Sequence, residues 1–327
     1  MAQLVLGAAT SHTSMLLVDP ADLPKYRQWD PTIPLLDTDG NPTTFEAQAR
    51  HAAGRHEALL TPDALSARLE QARAHVEHLA DAILAADLDA LIIVGDDQNE
   101  LYLADNHPAL LVYYGKTITA LPYKATPGRA DWLVRASERQ YSAVERVYPV
   151  AHELADHIIA TLIDEDFDVS TARQLPEGKG ESHSVAFIHT QLLHNTPVPI
   201  VPVFLNTYFP PNQPTPARCY AIGQAIGRAV ASLPGEGRVG IVASGGLSHF
   251  VVDEVLDQEI FAAIRAKDAA ALKAVPRAKL NSGSSEIRNW ICVAGALEAL
   301  DVSWSGYVPG IRTEAGTGTG LGFALWS

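Results

Sequence analysis

Cysteine is scarce in this chain. Cys219 and Cys292 are the only two in 327 residues, too few for a disulfide framework, and both fall in apolar helical patterns where a buried free thiol is expected. Long apolar runs are missing too, since no stretch reaches the roughly 18 uninterrupted apolar residues of a membrane span. The opening "MAQLVLGAATSHTSM" has neither a basic start nor a long apolar core, so it does not read as a signal peptide. A cytoplasmic protein with no membrane partner is expected. Positive charge is in deficit, with 24 Lys and Arg against 38 Asp and Glu and a formal net charge of −14. A phosphate backbone would be repelled, which argues against a nucleic-acid partner. Nucleotide signatures are lacking as well. "GTGTGLG" at 316–322 has no Lys-Ser/Thr ending and no helix after it, and Gly245-Gly246 makes no dinucleotide fingerprint.

What is present is a long alternation of buried strands and amphipathic helices. Strand patterns cover "QLVLGAAT" (3–10), "DALIIV" (89–94), "PALLVYYG" (108–115), "DVSTARQL" (168–175), "VPIVPVFLN" (198–206), "GRVGIVASGG" (237–246) and the tail from 316. Helical patterns fall between them. The clearest runs from Thr61, a plausible N-cap with Pro62 at the first helical position, to about residue 88. Residues 116–150 give a mixed signal that includes strand pairs. The class read from this order is α/β, with a central mostly parallel or mixed sheet and helices on both faces. No internal repeat and no clean linker divides the chain, so residues 1–327 read as one catalytic domain. Residues 19–62, rich in Pro, Asp and Thr, form an insertion of lid or partner-surface character.

Functional groups in open α/β sheets collect at the carboxyl ends of strands. Three strands here end in chemically loaded loops, "AATSHTS", "GDDQNE" and "ASGGLSHF", and a fourth loaded segment is "LNSGSSEIRNW". His12, between two serines, can bind a metal or hydrogen-bond the local backbone. His249 sits on a glycine-permitted turn suited to acid/base work, because an imidazole titrates near neutrality. Glu286 either caps a helix dipole or serves as a rigid carboxylate ligand. The same two kinds of role compete for His183 in "GESHS". The carboxylates of "GDDQNE" can hold a divalent cation. His75, His78, His152 and His157 fall on amphipathic helices and read as structural or exposed.

The ordered set "TSH" (10–12), "GGLSHF" (245–250) and "GSSEIRNWICVAGAL" (283–297) resembles the class III extradiol ring-cleaving dioxygenases. The closest branch is that of the protocatechuate 4,5-dioxygenase catalytic subunit and gallate dioxygenase. The resemblance implies a non-haem iron(II) held by two histidines and a glutamate, with open positions for a catecholate and O₂. It implies a small catecholic aromatic substrate, protocatechuate- or gallate-like if carboxylated, and a homo-oligomer. It places His12 and Glu286 as metal ligands, His249 as the acid/base and His183 as a second catalytic histidine. The family's second ligand histidine corresponds here to Gln98, a weaker neutral donor. Gln98 then ligates weakly or cedes its place to water, another histidine (His51, His56 or His107) replaces it, or the metal differs or is lost. Tyr26, Trp29 and Phe45 in the insertion are candidate pocket walls. Arg288 and Arg312 are the nearest partners for a substrate carboxylate.

Overall fold

In the computed structural model, which describes residues 1–327, the apolar segments pair into an eight-stranded mixed sheet. Its strands are β1 (Ala2–Thr10), β2 (Ala90–Gly95), β3 (Leu110–Tyr113), β4 (Ser170–Ala172), β5 (Ile200–Leu205), β6 (Gly237–Ser244), β7 (Val302–Ile311) and β8 (Gly318–Trp326). The spatial order is β7-β8-β1-β6-β2-β5-β3-β4. The central four, β1, β6, β2 and β5, are parallel. β8 and β7 extend one side antiparallel, and β3 pairs antiparallel with β5 on the other. The expected α/β class with a mixed sheet is what the chain adopts. β7 was not anticipated. Its alternating, half-exposed pattern carries little hydrophobic signal until β8 pairs with it.

Central strands are apolar throughout because both faces are covered. Ile92 and Val94 of β2 pack into one core cluster, and Leu91 and Ile93 into the other. The first face is covered by α3 (His152–Asp164), α5 (Pro216–Ser232), α6 (Glu254–Arg265) and α7 (Ile287–Ala296); the second by α1 (Pro62–Ala85), α2 (Asp131–Gln140) and α4 (His183–Phe187). α1 starts as read from sequence, with the Thr61 hydroxyl accepting the Ala64 N–H and Pro62 at the first position. Gly223 lets α5 lie directly on α7, since a Cβ there would stand 1.8 Å from the Cys292 carbonyl oxygen. Both cysteines are free and buried. No helix is long and apolar enough to cross a membrane.

The insertion folds as short helical turns, a ribbon pairing Leu35–Leu36 with Pro42–Thr43, and a helix at Phe45–Ala52. Arginines from the body hold its start: Arg139 donates to the carboxylate of Asp19 and Arg135 to that of Asp22, while Arg73 and Arg139 grip the carbonyls of Leu16, Leu17 and Val18 just before it. Arg312 makes a buried two-pronged pair with Asp30, both contacts at 2.9 Å, and its guanidinium lies 3.6 Å from the Tyr26 ring centre. Residues 117–120 and 146–149 form the strand pair expected in the mixed region.

Candidate active site

The four parallel strands end side by side. Thr10 pairs with Ser244, Ala243 with Val94, and Gly95 with Phe204, so the loops that follow open at one edge. His12 leaves β1, Asp96 and Gln98 leave β2, Tyr208 follows β5, and His249 follows β6. Glu286 lies at the start of α7 and reaches the same point. His12, Gln98, Tyr208, His249 and Glu286, with His183 at the start of α4, line a cavity of about 390 Å³, and Asp96 lies buried just behind it.

Each histidine has one ring nitrogen committed, which fixes what the other can do. The Ser244 hydroxyl gives its proton to the Ser184 carbonyl at 2.7 Å, so it accepts from His12 Nδ1 at 3.0 Å. The lone pair of a neutral His12 therefore sits on Nε2, 3.3 Å from Glu286 Oε2. The Nδ1–H of His249 donates to the Leu247 carbonyl at 2.8 Å, leaving Nε2 3.5 Å from Glu286 Oε1. His183 Nδ1 pairs with Glu100 Oε2 at 2.7 Å, and its Nε2 faces the cavity. Glu100 also accepts the Tyr141 hydroxyl at 2.6 Å. The Tyr208 hydroxyl donates to Glu286 Oε1 at 3.2 Å.

Gln98 turns its amide nitrogen inward. It donates to Asp96 Oδ2 at 3.2 Å and to Glu286 Oε1 at 3.1 Å, and it stands 3.4 Å from His183 Nε2. Ionised carboxylates only accept, so the nitrogen end of the amide must face them.

Burial and charge oppose each other across the cluster. Asp96 is fully buried; burial first, and the Glu286 charge second, push its pKa up to about 6. Burial also works against charge on His183, but the Glu100 carboxylate overrides it and raises the ring to about 10. Glu100 is held down to about 2, because the His183 charge and hydrogen bonds outweigh burial. Burial would raise Glu286, yet His12 and His249 hold it well below the usual carboxylate range. His249 is raised in turn, the Glu286 carboxylate overcoming burial. Tyr208, buried beside Glu286, is kept protonated well past its ordinary range.

A family model described as "Catalytic LigB subunit of aromatic ring-opening dioxygenase" matches residues 75–308. The chain belongs to this family. Among curated proteins, a 2,3-dihydroxyphenylpropionate/2,3-dihydroxicinnamic acid 1,2-dioxygenase of Comamonas testosteroni is 35% identical over 100 residues, covering 31% of this chain and 30% of the relative. A gallate dioxygenase of Pseudomonas putida is 38% identical over 101 residues, covering 31% and 29%. The chain thus matches under a third of the length of either relative. Gln98, His183, His249 and Glu286 lie inside the stretch matched to the ring-opening dioxygenase family, and His12 precedes it.

The structure brings His12, Gln98, His183, His249 and Glu286 into one cavity of this family member. It does not bring in the other histidines. His51 is exposed on the insertion, His56 faces Gly316, and His107 pairs with Asn99 and stacks on Phe209. The insertion's aromatics are not pocket walls either. Tyr26 is buried against Trp132, and Trp29 lines a separate surface hollow. Arg288 spends its guanidinium on the carbonyls of Pro214, Leu280 and Ser285, and Arg312 spends its own on Asp30. The cavity's arginine is instead Arg129, whose Nε has no partner and whose Nη2 makes one 3.3 Å bond to Ser137.

Sequence reading overlooked Asp96, Glu100, Tyr208 and Arg129 as individuals. The first two stood inside the noted loop, and the signal for Tyr208 was its place just past a parallel strand. Nothing local marked Arg129.

The donor set fits a divalent metal. His12, Asp96 and His183 present ligand atoms within 4.8 Å of one another, and Glu286 adds a carboxylate 3.3 Å from His12 Nε2. Ligands about 2.1 Å from one octahedral ion stand about 3 Å apart when adjacent and about 4.2 Å when opposite. Two buried carboxylates, Asp96 and Glu286, share this space with no Lys or Arg as partner, and such charge calls for a cation.

Proposed function

We propose that the chain opens the ring of catechol-type aromatics with dioxygen at a non-haem iron(II) centre. The observation that carries this is the grip of one buried carboxylate, Glu286, between His12 Nε2 and His249 Nε2, at 3.3 and 3.5 Å. Family membership supports it. His12, Glu286 and the exit of β2 around Gln98 would hold the metal. When bound, the metal supplies a meeting point for the substrate hydroxyls and dioxygen and acidifies the former.

The remaining work falls to the chain. His249, with Nδ1 committed to a carbonyl, can take a phenolic proton at Nε2 and return it to an oxygen as the ring opens. His183, backed by Glu100, presents a charged Nε2–H that attracts a phenolate. Tyr208 keeps its proton and donates it, which restrains Glu286 from swinging toward the substrate. Arg129, which lines the cavity and whose buried Nε lacks a partner, offers its guanidinium to an anionic ring substituent such as a carboxylate. Residues 1–327 act as one catalytic unit, with the insertion as a built-in cover. In support, Leu36, Asp37 and Gly40 of the insertion meet His249 and Ser284 in one small cleft.

Metal analysis of the purified protein with a catechol-dependent oxygen-uptake assay tests this. Iron with uptake is the expected result. Zinc without uptake would shift the reading to a hydrolase or lyase on the same scaffold. Absence of both metal and turnover would sink it.

A further inference from the structure

We propose that Asp96 is a metal ligand of this chain, and that Gln98 is not a ligand but the donor that steadies the site's two carboxylates. The inference rests on the metal reading above and names which residues serve it.

Gln98 occupies the position where the resemblance leads one to look for an imidazole. Its side chain, however, presents the wrong end. Both amide hydrogens are spoken for, one by Asp96 Oδ2 and one by Glu286 Oε1. An amide nitrogen so engaged has no lone pair for a metal. Rotating the amide to offer its oxygen would aim that oxygen at two carboxylates and remove a hydrogen bond from each.

Asp96 has the opposite character. It follows the last residue of β2 directly and is wholly buried. The rigid end of a central strand sets its position, whereas Gln98 lies two residues further out on an exposed turn. Oδ2 contacts only Gln98 and, at 3.9 Å, His183 Nε2, while Oδ1 has a long 3.5 Å contact from Asn289. A buried carboxylate this poorly partnered is costly unless something charged completes it. The neighbouring Asp97 does not compete for the role, since its oxygens accept the backbone N–H groups of Leu101 and Tyr102 and so build the turn. Asp96 stands in one group with His12 and His183, and Glu286 closes it from α7. The imidazole nitrogen absent at Gln98 is thus replaced by a hard oxygen at Asp96, while His183, paired with Glu100, keeps its role toward the substrate.

The test is calorimetric titration of full-length, metal-stripped protein with Mn(II), and anaerobically with Fe(II), for the wild type, Asp96→Asn and Gln98→Ala. Removing an outer donor typically costs about 10- to 100-fold in metal affinity. Gln98→Ala should fall within that range and Asp96→Asn beyond it. Asp96→Asn binding within about 10-fold of the wild type, or Gln98→Ala losing as much as Asp96→Asn, would overturn the assignment. A wild type that takes up neither ion overturns the metal reading itself, and the assignment with it. Infrared difference spectra of the wild type with isotope-labelled aspartate, recorded on adding Mn(II), decide the matter even if Asp96→Asn does not fold. An aspartate carboxylate band must shift, and a spectrum in which only glutamate bands move refutes the proposal.

Discussion

His249 is poised by contacts on every side but one. Its backbone N–H donates to the Ser284 hydroxyl, its Nδ1–H to the Leu247 carbonyl, and a Cβ on Gly283 would fall 1.7 Å from its ring. The open side is Nε2, toward Glu286 and Tyr208. A positioned acid/base is worth about 10²- to 10⁴-fold in rate, so His249→Ala should slow turnover by about that factor while metal content stays unchanged. Loss of metal in this variant would instead make His249 a ligand. Arg129 allows an independent check on the substrate. A hydrogen bond to a charged group is worth about 1.5–3 kcal/mol, so Arg129→Met should raise KM by about 10- to 100-fold for catechols with an anionic substituent. Neutral catechols should be unaffected, and an equal change for both kinds would remove Arg129 from substrate recognition.

The turn after β6 depends on the helix that follows it. Asp257 on α6 accepts the Ser248 N–H on one oxygen, and the Ser248 and Tyr307 hydroxyls on the other, all at 2.8 Å. This ties α6 and β7 to the residue next to His249. Burial lifts the Asp257 pKa from 3.8 to about 7, more than its hydrogen bonds pull it down. The folded chain therefore holds this proton more tightly than the unfolded one. The stabilisation is fully present in acid and fades as pH rises from about 4 through about 7. Asp257→Asn keeps the shape and cannot titrate. Its stability relative to the wild type should therefore improve as pH rises across that window, as read from urea midpoints. A constant difference between the two proteins at all pH values would show that Asp257 does not titrate there.

At the scale of the molecule, the insertion is fastened to the last strands by one buried ion pair. Arg312 follows β7, and Asp30 lies within the insertion; their side chains are 5% and 0% exposed. Thr317 adds a hydroxyl to the same carboxylate at 2.5 Å. Removing one partner of a buried pair costs about 3–5 kcal/mol, because the other charge is left stranded. Arg312→Met should lower stability by about that amount and make the insertion the first segment cut by protease. An unchanged cleavage pattern would mean that the other arginine contacts hold the insertion alone. The surplus negative charge explains none of this architecture, since the decisive charges are few and buried.

Local pattern alone determined the α/β class, the capped start of α1, the buried free thiols and the loops at strand ends that carry His12, Gln98 and His249. Burial leaves a short-range periodic trace, and caps and turns are chosen by residues a few positions away. Tertiary structure decided the rest. Gln98 and Glu286 meet across 188 residues of chain, and only the strand order β1-β6-β2-β5 makes their loops neighbours. Which end of the Gln98 amide faces inward, that Asp96 points at the histidines while Asp97 builds a turn, and that Arg129 rather than Arg288 or Arg312 reaches the cavity all depend on partners from distant segments. Such choices minimise unpaired charge in the folded interior, and that interior does not exist until the sheet has closed around it.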